Sequence, residues 1–366
     1  MQIHVVQKGQ SLFGISQAYS IPWQEISTAN ELPDPNALVI GQSLVIPIRG
    51  RYHWVQPRQS LYTISRTYGL SVTELARINQ INPSAILQVG LRLYIPPQPK
   101  PTIDVFAYIE PRTSVTQAQI EEVRNRGRYL TYLGTFSYRV NRDGSLNAPP
   151  LDNLPTLARN LGITNAMVLS NLEGGQFSGD LAHAIFTNEA VTDKLLDNIV
   201  STAKEIGYGD IHFDFEFIKP EDREQYNAFL RKAKQRISPE GLSLSTALAP
   251  KTSAIQTGTL YEAHDYPAHG QIVTFTALMT YEWGYTYSTP QAVSPIGPVR
   301  TVAEYAVSEI PANKILLGQN LYGYDWTAPF QNNGQPAKAL SPQQAIALAI
   351  RERATIQYNA QVQAPF

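Results

Sequence analysis

The sequence predicts an α/β chain: a parallel (β/α) barrel preceded by two small βααβ units. Three observations carry this reading. The front of the chain repeats itself at an offset of 49 residues, a proline-dense stretch follows, and β-rich apolar runs then alternate with amphipathic ones.

In the first unit, residues 1–48, the stretch 3–7 is β-rich. Ser11 then opens a helix whose apolar positions Leu12, Ile15 and Tyr19 are spaced three and four apart. A second short helix is expected over 23–30 and a closing strand over 43–47. The second unit, residues 51–97, copies the first without a gap: Ser11, Leu12, Ile15, Asn30 and Leu44 recur as Ser60, Leu61, Ile64, Asn79 and Leu93. Units this small have little interior, so most of the repeated Leu and Ile are needed for the core. Residues 98–101 belong to the run Pro96-Pro97-Gln98-Pro99-Lys100-Pro101, which favours extended polyproline II and marks a semi-rigid linker.

From residue 102 to residue 366, strands are expected over 103–108, 129–137, 166–172, 210–217, 243–248, 274–281 and 315–322. Amphipathic helices are expected between them, the clearest over 116–126, 189–206 and 220–236. Seven strands alternating with helices, several ending in polar residues, predict a (β/α)8 TIM barrel whose last strand is missing. Ser341-Pro342 supplies an N-cap and first-turn proline for a helix to about residue 353. Residues 355–366 then read as the opening of a further β segment, so the barrel is expected to be C-terminally incomplete.

Composition excludes several classes. The chain holds 29 Lys+Arg and 30 Asp+Glu, a formal charge of −1 that gives no reason to expect nucleic acid as a partner. Residues 1–100 carry 8 basic and 4 acidic side chains, leaving 21 and 26 for the rest, a mild asymmetry compatible with anchoring on an acidic wall polymer. Without cysteine there are no disulfides, thiol nucleophiles or thiolate metal sites. His4, His53, His183, His264 and His269 have no metal-ligand spacing, so neither metal nor cofactor is expected. No apolar run reaches the length of a membrane span, and residues 1–6 lack the basic and apolar regions of a Sec signal peptide.

The chemistry is concentrated in Asp210-Ile211-His212-Phe213-Asp214-Phe215-Glu216. Strand alternation sends His212, Asp214 and Glu216 to one face and Ile211, Phe213 and Phe215 to the other. Two carboxylates confined at i and i+2 cannot both ionise cheaply, so one holds a proton near neutral pH. A general acid for glycosidic cleavage needs such a proton.

The two front units resemble the LysM module, which binds N-acetylglucosamine-containing glycans. That resemblance implies a groove edged by Gly9, Gln10, Ser11 and Leu12 with Ala37 and Leu38 in the first copy. In the second copy the groove is edged by Arg58, Gln59, Ser60 and Leu61 with Ile86 and Leu87. Arg58 stands where the first copy has Gly9, so the two grooves are expected to differ in affinity.

Asp214-Phe215-Glu216 resembles the end of the glycoside hydrolase family 18 signature Asp-Gly-x-Asp-x-Asp-x-Glu. Gly209 and Asp210 occupy its first two places, and His212 stands where the family has an Asp. Ser170-Asn171-Leu172-Glu173-Gly174-Gly175, Met279-Thr280-Tyr281, and Gly318 with Tyr322-Gly323 fit the same family in order and spacing. The combination with LysM repeats resembles the spore-cortex-lytic N-acetylglucosaminidases of endospore-forming bacteria. Their barrel carries a small α+β insertion, expected here from about residue 327.

By resemblance, Glu216 is the acid and then the base, Asp214 holds the substrate's 2-acetamido group, and Tyr281 donates to the acetamido carbonyl. Tyr108, His212, Met279, Glu282, Trp283 and Tyr322 are expected to bind substrate, with Phe136 and Trp326 as further candidates for sugar stacking. The implied activity is retaining, substrate-assisted β-N-acetylglucosaminidase action on spore-cortex peptidoglycan, by a monomer in the spore coat, cortex or cell wall. Two rivals are a chitinase and an inactive wall-binding or coat protein. His212→Asp is expected to shift the acid limb of the pH profile.

Overall fold

The computed structural model describes all 366 residues. It divides into two compact units: Met1–Thr102 with Ala339–Ala360 and Ala364–Phe366, and Ile103–Lys338 with Gln361–Gln363.

In the first unit, β1 (Gln2–Val5), α1 (Leu12–Tyr19), α2 (Trp23–Ala29) and β2 (Ser43–Ile46) form the first repeat. Gln2 lies opposite Ile46 in its antiparallel pair. β3 (Arg51–Trp54), α3 (Leu61–Thr67), α4 (Val72–Ile78) and β4 (Arg92–Ile95) form the second, with Arg51 opposite Ile95. Ser11 and Ser60 cap α1 and α3 by accepting from the N–H groups of Gly14 and Thr63. The residue after each cap faces inward, so Leu12 and Leu61, expected at the groove edges, are core residues instead.

A duplicated asparagine ties helix to strand. Asn30 Nδ2 donates to the carbonyls of Ile26 and Val45, both at 2.8 Å, and its Oδ1 accepts from Val45 N–H at 2.7 Å. Asn79 does the same with Leu75, Tyr94 and the Tyr94 N–H. The repeats are also joined to each other. Gln2 brackets the Tyr52 backbone with two hydrogen bonds of 3.0 and 2.7 Å, and the Arg92 guanidinium lies 4.4 Å over the Tyr52 ring. The tail contributes a helix over Pro342–Arg351 and a hairpin of Tyr358–Asn359 with Ala364–Pro365. Expected as part of a barrel insertion, most of this tail clusters with the repeats, and Ile356 N–H donates to the Ile40 carbonyl at 2.9 Å.

The second unit runs β5 (Phe106–Ile109), α5 (Gln117–Arg126), β6 (Tyr132–Val140), β7 (Leu146–Asn147), α6 (Leu154–Asn160), β8 (Thr164–Ser170), β9 (Leu172–Glu173), β10 (Gln176–Phe177), α7 (Gly179–Phe186) and α8 (Glu189–Ile206). It continues with β11 (Asp210–Asp214), α9 (Arg223–Ile237), β12 (Ser243–Leu248), α10 (Tyr266–Ile272), β13 (Phe275–Leu278), α11 (Ile296–Glu309) and β14 (Ile315–Leu317). Seven strands are parallel, in the order β5-β6-β8-β11-β12-β13-β14, and β7 folds back on β6. Phe106 on β5 and Phe275 on β13 are five strands apart, about 24 Å in a flat sheet. Their ring centroids are 6.1 Å apart, so the sheet curls as in a TIM barrel.

Side chains sort by face. Ile211, Phe213 and Phe215 enter the apolar layer under α8 and α9, with Leu196, Ile199, Tyr226 and Phe229. Phe106, Tyr132, His212 and Phe275 meet in the interior. The predicted strands are all present, but several end early: β11 stops at Asp214, β13 at Leu278 and β14 at Leu317. The residues beyond are those that carry chemistry.

Candidate active site

Asp214 is the last residue of β11, and Glu216 lies just past the strand. Asn171, fully buried after β8, fixes that exit: its Nδ2 donates to the Glu216 carbonyl at 2.8 Å and its Oδ1 accepts from Glu216 N–H at 3.0 Å. The backbone of Glu216 is thereby held from the neighbouring strand while its carboxyl stays free of hydrogen-bond partners. Sequence reasoning placed Asn171 in a family run but gave it no role. Its spacing to Glu216 carries no local signal.

Burial raises the pKa of Asp214, and it raises that of Glu216 further with the help of the Asp214 charge. The pair therefore retains a proton near neutral pH. The Tyr281 hydroxyl is pushed above its ordinary value by burial and then by the charges of Asp214, Glu216 and Glu282. It stays a phenol, a donor available to a ligand. Asp214 Oδ1 is buried without a partner in the protein. Such a group is costly to leave unpaired and points to a bound molecule that satisfies it.

The loops after β13 and β14 shape the rest of the cleft. A Cβ on Gly318 would lie 2.6 Å from the Leu278 carbonyl and 2.6 Å from the Tyr281 ring, so only glycine lets β14 pass behind Tyr281. Glu282 accepts from the hydroxyls of Tyr322 at 2.5 Å and Tyr324 at 2.9 Å. Met279 is half-buried, and its N–H donates to the Leu248 carbonyl. Tyr108 keeps its ring exposed while its hydroxyl turns inward to His212 Nε2 at 2.7 Å.

One expected substrate contact is corrected. His212 is fully buried, and both its ring nitrogens are taken, by Tyr108 and by Ser245 Oγ at 2.7 Å, so it lies behind the cleft surface. Trp283 packs on the cluster of Leu248, Tyr266, Leu278, Val302 and Ala306, where apolar helix faces cover the sheet. Phe136 and Trp326 are half-buried, and Trp326 lies against Tyr324 with ring centroids 5.5 Å apart.

In the repeats, Gly9 and Arg58 occupy the same left-handed conformation, at φ 82° and 67°. Arg58 thus adopts a conformation that favours glycine. Gln10 Oε1 accepts from Gln7 N–H and bonds to His4 Nε2, and Gln59 does the same with Gln56 and His53. His4 and His53, 49 residues apart, hold the loops expected to edge the grooves and were not expected to do so. Ile86 is 97% exposed where the second groove is expected, while its counterpart Ala37 is half-buried, and Leu38 and Leu87 pack partly on their cores.

The LysM domain matches residues 4–47 and 53–96. Residues 112–366 match the glycosyl hydrolases family 18. The chain is 58% identical over 367 residues to the cortical fragment-lytic enzyme of Bacillus subtilis (strain 168), covering 100% of this chain and 85% of that protein. It is 46% identical over 370 residues to the cortical fragment-lytic enzyme of Bacillus cereus, with the same coverage. Among solved structures, the spore cortex-lytic enzyme SleL of Bacillus megaterium QM B1551 superposes with a TM-score of 0.90 at 49% identity, over 100% of this chain and 84% of that one. A chitinase from Chromobacterium violaceum shares the fold, with a TM-score of 0.65 at 22% identity over 72% of this chain and 81% of that one.

Proposed function

The chain belongs to the glycosyl hydrolases family 18, and from that premise we propose that it is a spore-cortex peptidoglycan hydrolase, a retaining β-N-acetylglucosaminidase anchored by its LysM repeats. One observation carries the proposal. Glu216, Asp214 and Tyr281 interact electrostatically at the ends of β11 and β13, with the Glu216 carboxyl and Tyr281 hydroxyl unpartnered and Asp214 Oδ1 buried without a hydrogen bond. Relatives named for cortex lysis, matched along the whole chain, support the choice of polymer.

In this reading Glu216 gives its proton to the glycosidic oxygen as the bond to the anomeric carbon breaks. The substrate's own acetamido carbonyl oxygen attacks that carbon, giving an oxazolinium ion, so the enzyme supplies no nucleophile. Asp214 accepts from the acetamido N–H and offsets the positive charge. Tyr281 donates to the carbonyl oxygen and holds it in line. Glu216, now ionised, removes a proton from water as the water opens the ring, and the configuration is retained. The site of action is the spore coat, the cortex or the cell wall.

The test is turnover of purified cortex fragments and of chitin oligomers, with new reducing ends identified by mass spectrometry. N-acetylglucosamine ends from cortex, lost by roughly 10²–10⁴-fold in Glu216→Gln with glycan binding retained, are expected. Cleavage of chitin oligomers but not of cortex would make the enzyme a chitinase. Binding without turnover in the unaltered chain would leave only a wall-binding protein.

A further inference from the structure

Behind the carboxyl pair stands a buried polar column with no part in bond breaking. Asp210, fully buried, accepts from Ser243 Oγ at its Oδ1 and from Ser245 Oγ at its Oδ2, each at 2.5 Å. Ser245 Oγ is 2.7 Å from His212 Nδ1, and His212 Nε2 is 2.7 Å from the Tyr108 hydroxyl. Three strands contribute: the neighbours β11 and β12 give Asp210 with His212 and Ser243 with Ser245, and β5, three places from β11 in the sheet, gives Tyr108.

The directions of these bonds follow from counting protons. Burial raises the Asp210 pKa to about 6 against the lowering effect of the two serine hydroxyls, so at pH 7.5 it is ionised and only accepts, and Ser245 spends its one proton on it. Ser245 can then only accept from His212, which requires the proton on Nδ1. Burial keeps the imidazole neutral, with its pKa pushed down to about 3, so Nε2 is bare and must accept from Tyr108. The phenol's proton is thereby committed inward. Its oxygen, within electrostatic reach of Asp214 and Glu216, presents only lone pairs to the cleft.

We infer that Asp210 and Ser245 are positioning residues of this hydrolase: they order the protons through His212 so that Tyr108 meets the substrate as a hydrogen-bond acceptor, for a sugar O–H or N–H. The inference rests on the reading of Asp214 and Glu216 as the reacting pair. The acid Asp210 sits two residues before His212 on the same strand, and a neutral imidazole carries its influence to the cleft.

The primary test needs no substrate, so it separates this inference from the catalytic one. In the full chain labelled with 15N-histidine at pH 7.5, long-range 15N–1H correlations should show His212 protonated at Nδ1 and bare at Nε2. In Asp210→Asn the amide can donate to Ser245, which then donates to Nδ1, and the proton should move to Nε2. Tyr108 would be turned into a donor. Asp210→Asn and Tyr108→Phe should each lower kcat/KM on cortex fragments by roughly ten-fold, mainly through KM, and the double variant should lose little more than either alone. An Nε2–H tautomer in the unaltered chain overturns the inference. So does an unmoved tautomer in Asp210→Asn, or losses that simply multiply.

Discussion

Burial holds a proton on Glu216, and the cost of removing it is measurable as stability. The folded pKa is raised above its unfolded value, so this group's stabilising contribution is complete below the unfolded value, near pH 4, and is lost as pH rises through the folded one. Glu216→Gln cannot ionise. The variant should melt a few degrees above the unaltered chain at pH 8, and the gap should close towards pH 4. A gap that widened on acidification would mean that Glu216 is stabilised as an anion in the fold. The same charge logic applies at His212, whose ring stays neutral down to about pH 3. His212→Asp adds a carboxylate beside the Tyr108 hydroxyl and Asp214, makes Asp214 harder to ionise, and should move the acid limb of kcat/KM to higher pH. An unmoved limb would detach Asp214 from that limb. The carboxyl pair and His212 were legible in the sequence because strand alternation is local. Asn171, Asp210 and Ser245 were not, since each acts on a partner brought near by sheet order. Asn171 and Glu216 are 45 residues apart, and Asp210 and Ser245 are 35.

Strands deliver the site, and their ends decide its geometry. All seven parallel strands were visible as apolar runs, and α8 was predicted over the bounds it occupies, because burial of one face writes a period into the sequence. The ends of β11, β13 and β14 were placed too far on, since the residues that leave the sheet remain apolar or aromatic: Phe215, Tyr281 and Tyr322. Gly318 tests how tightly β14 is fitted behind the Tyr281 ring. Its missing Cβ leaves no room for a methyl group against backbone, so Gly318→Ala must displace either the Leu278 carbonyl or Tyr281. A misplacement of that size at a hydrogen-bond donor lowers kcat by about 10²-fold, whereas glycan binding by the repeats should be unaffected. Unchanged kcat in Gly318→Ala would show that Tyr281 does not depend on its backing.

At the scale of the molecule, anchoring and chemistry draw on different cores. The repeats are built on two small clusters, around Ile15, Ile26 and Leu44 and around Ile64, Leu75 and Leu93, while the barrel rests on a large one around Phe213, Phe215 and Leu196. The repeat was legible from its offset alone, but its internal fastening was not: Asn30 and Asn79 stood out only as a repeated pair, the first at the end of an expected helix, with nothing in the sequence to name their partners. Each replaces a missing strand neighbour, and a unit of roughly fifty residues has only a few kcal/mol in total to lose. Asn79→Leu removes the bonds to Leu75, to the Tyr94 carbonyl and to the Tyr94 N–H, at about 1–3 kcal/mol for each polar group left buried and unpaired. That is enough to unfold the second repeat. Calorimetry should then show the lower of two transitions reduced or shifted down, with the barrel's transition in place. Co-sedimentation with insoluble cortex should weaken, while turnover of small soluble fragments stays within about two-fold, because affinity gained by linking sites matters only for a polymer that engages both. One transition moving as a whole, or equal losses on soluble and insoluble substrate, would mean that the repeats support the barrel's fold and do not serve chiefly as its anchor.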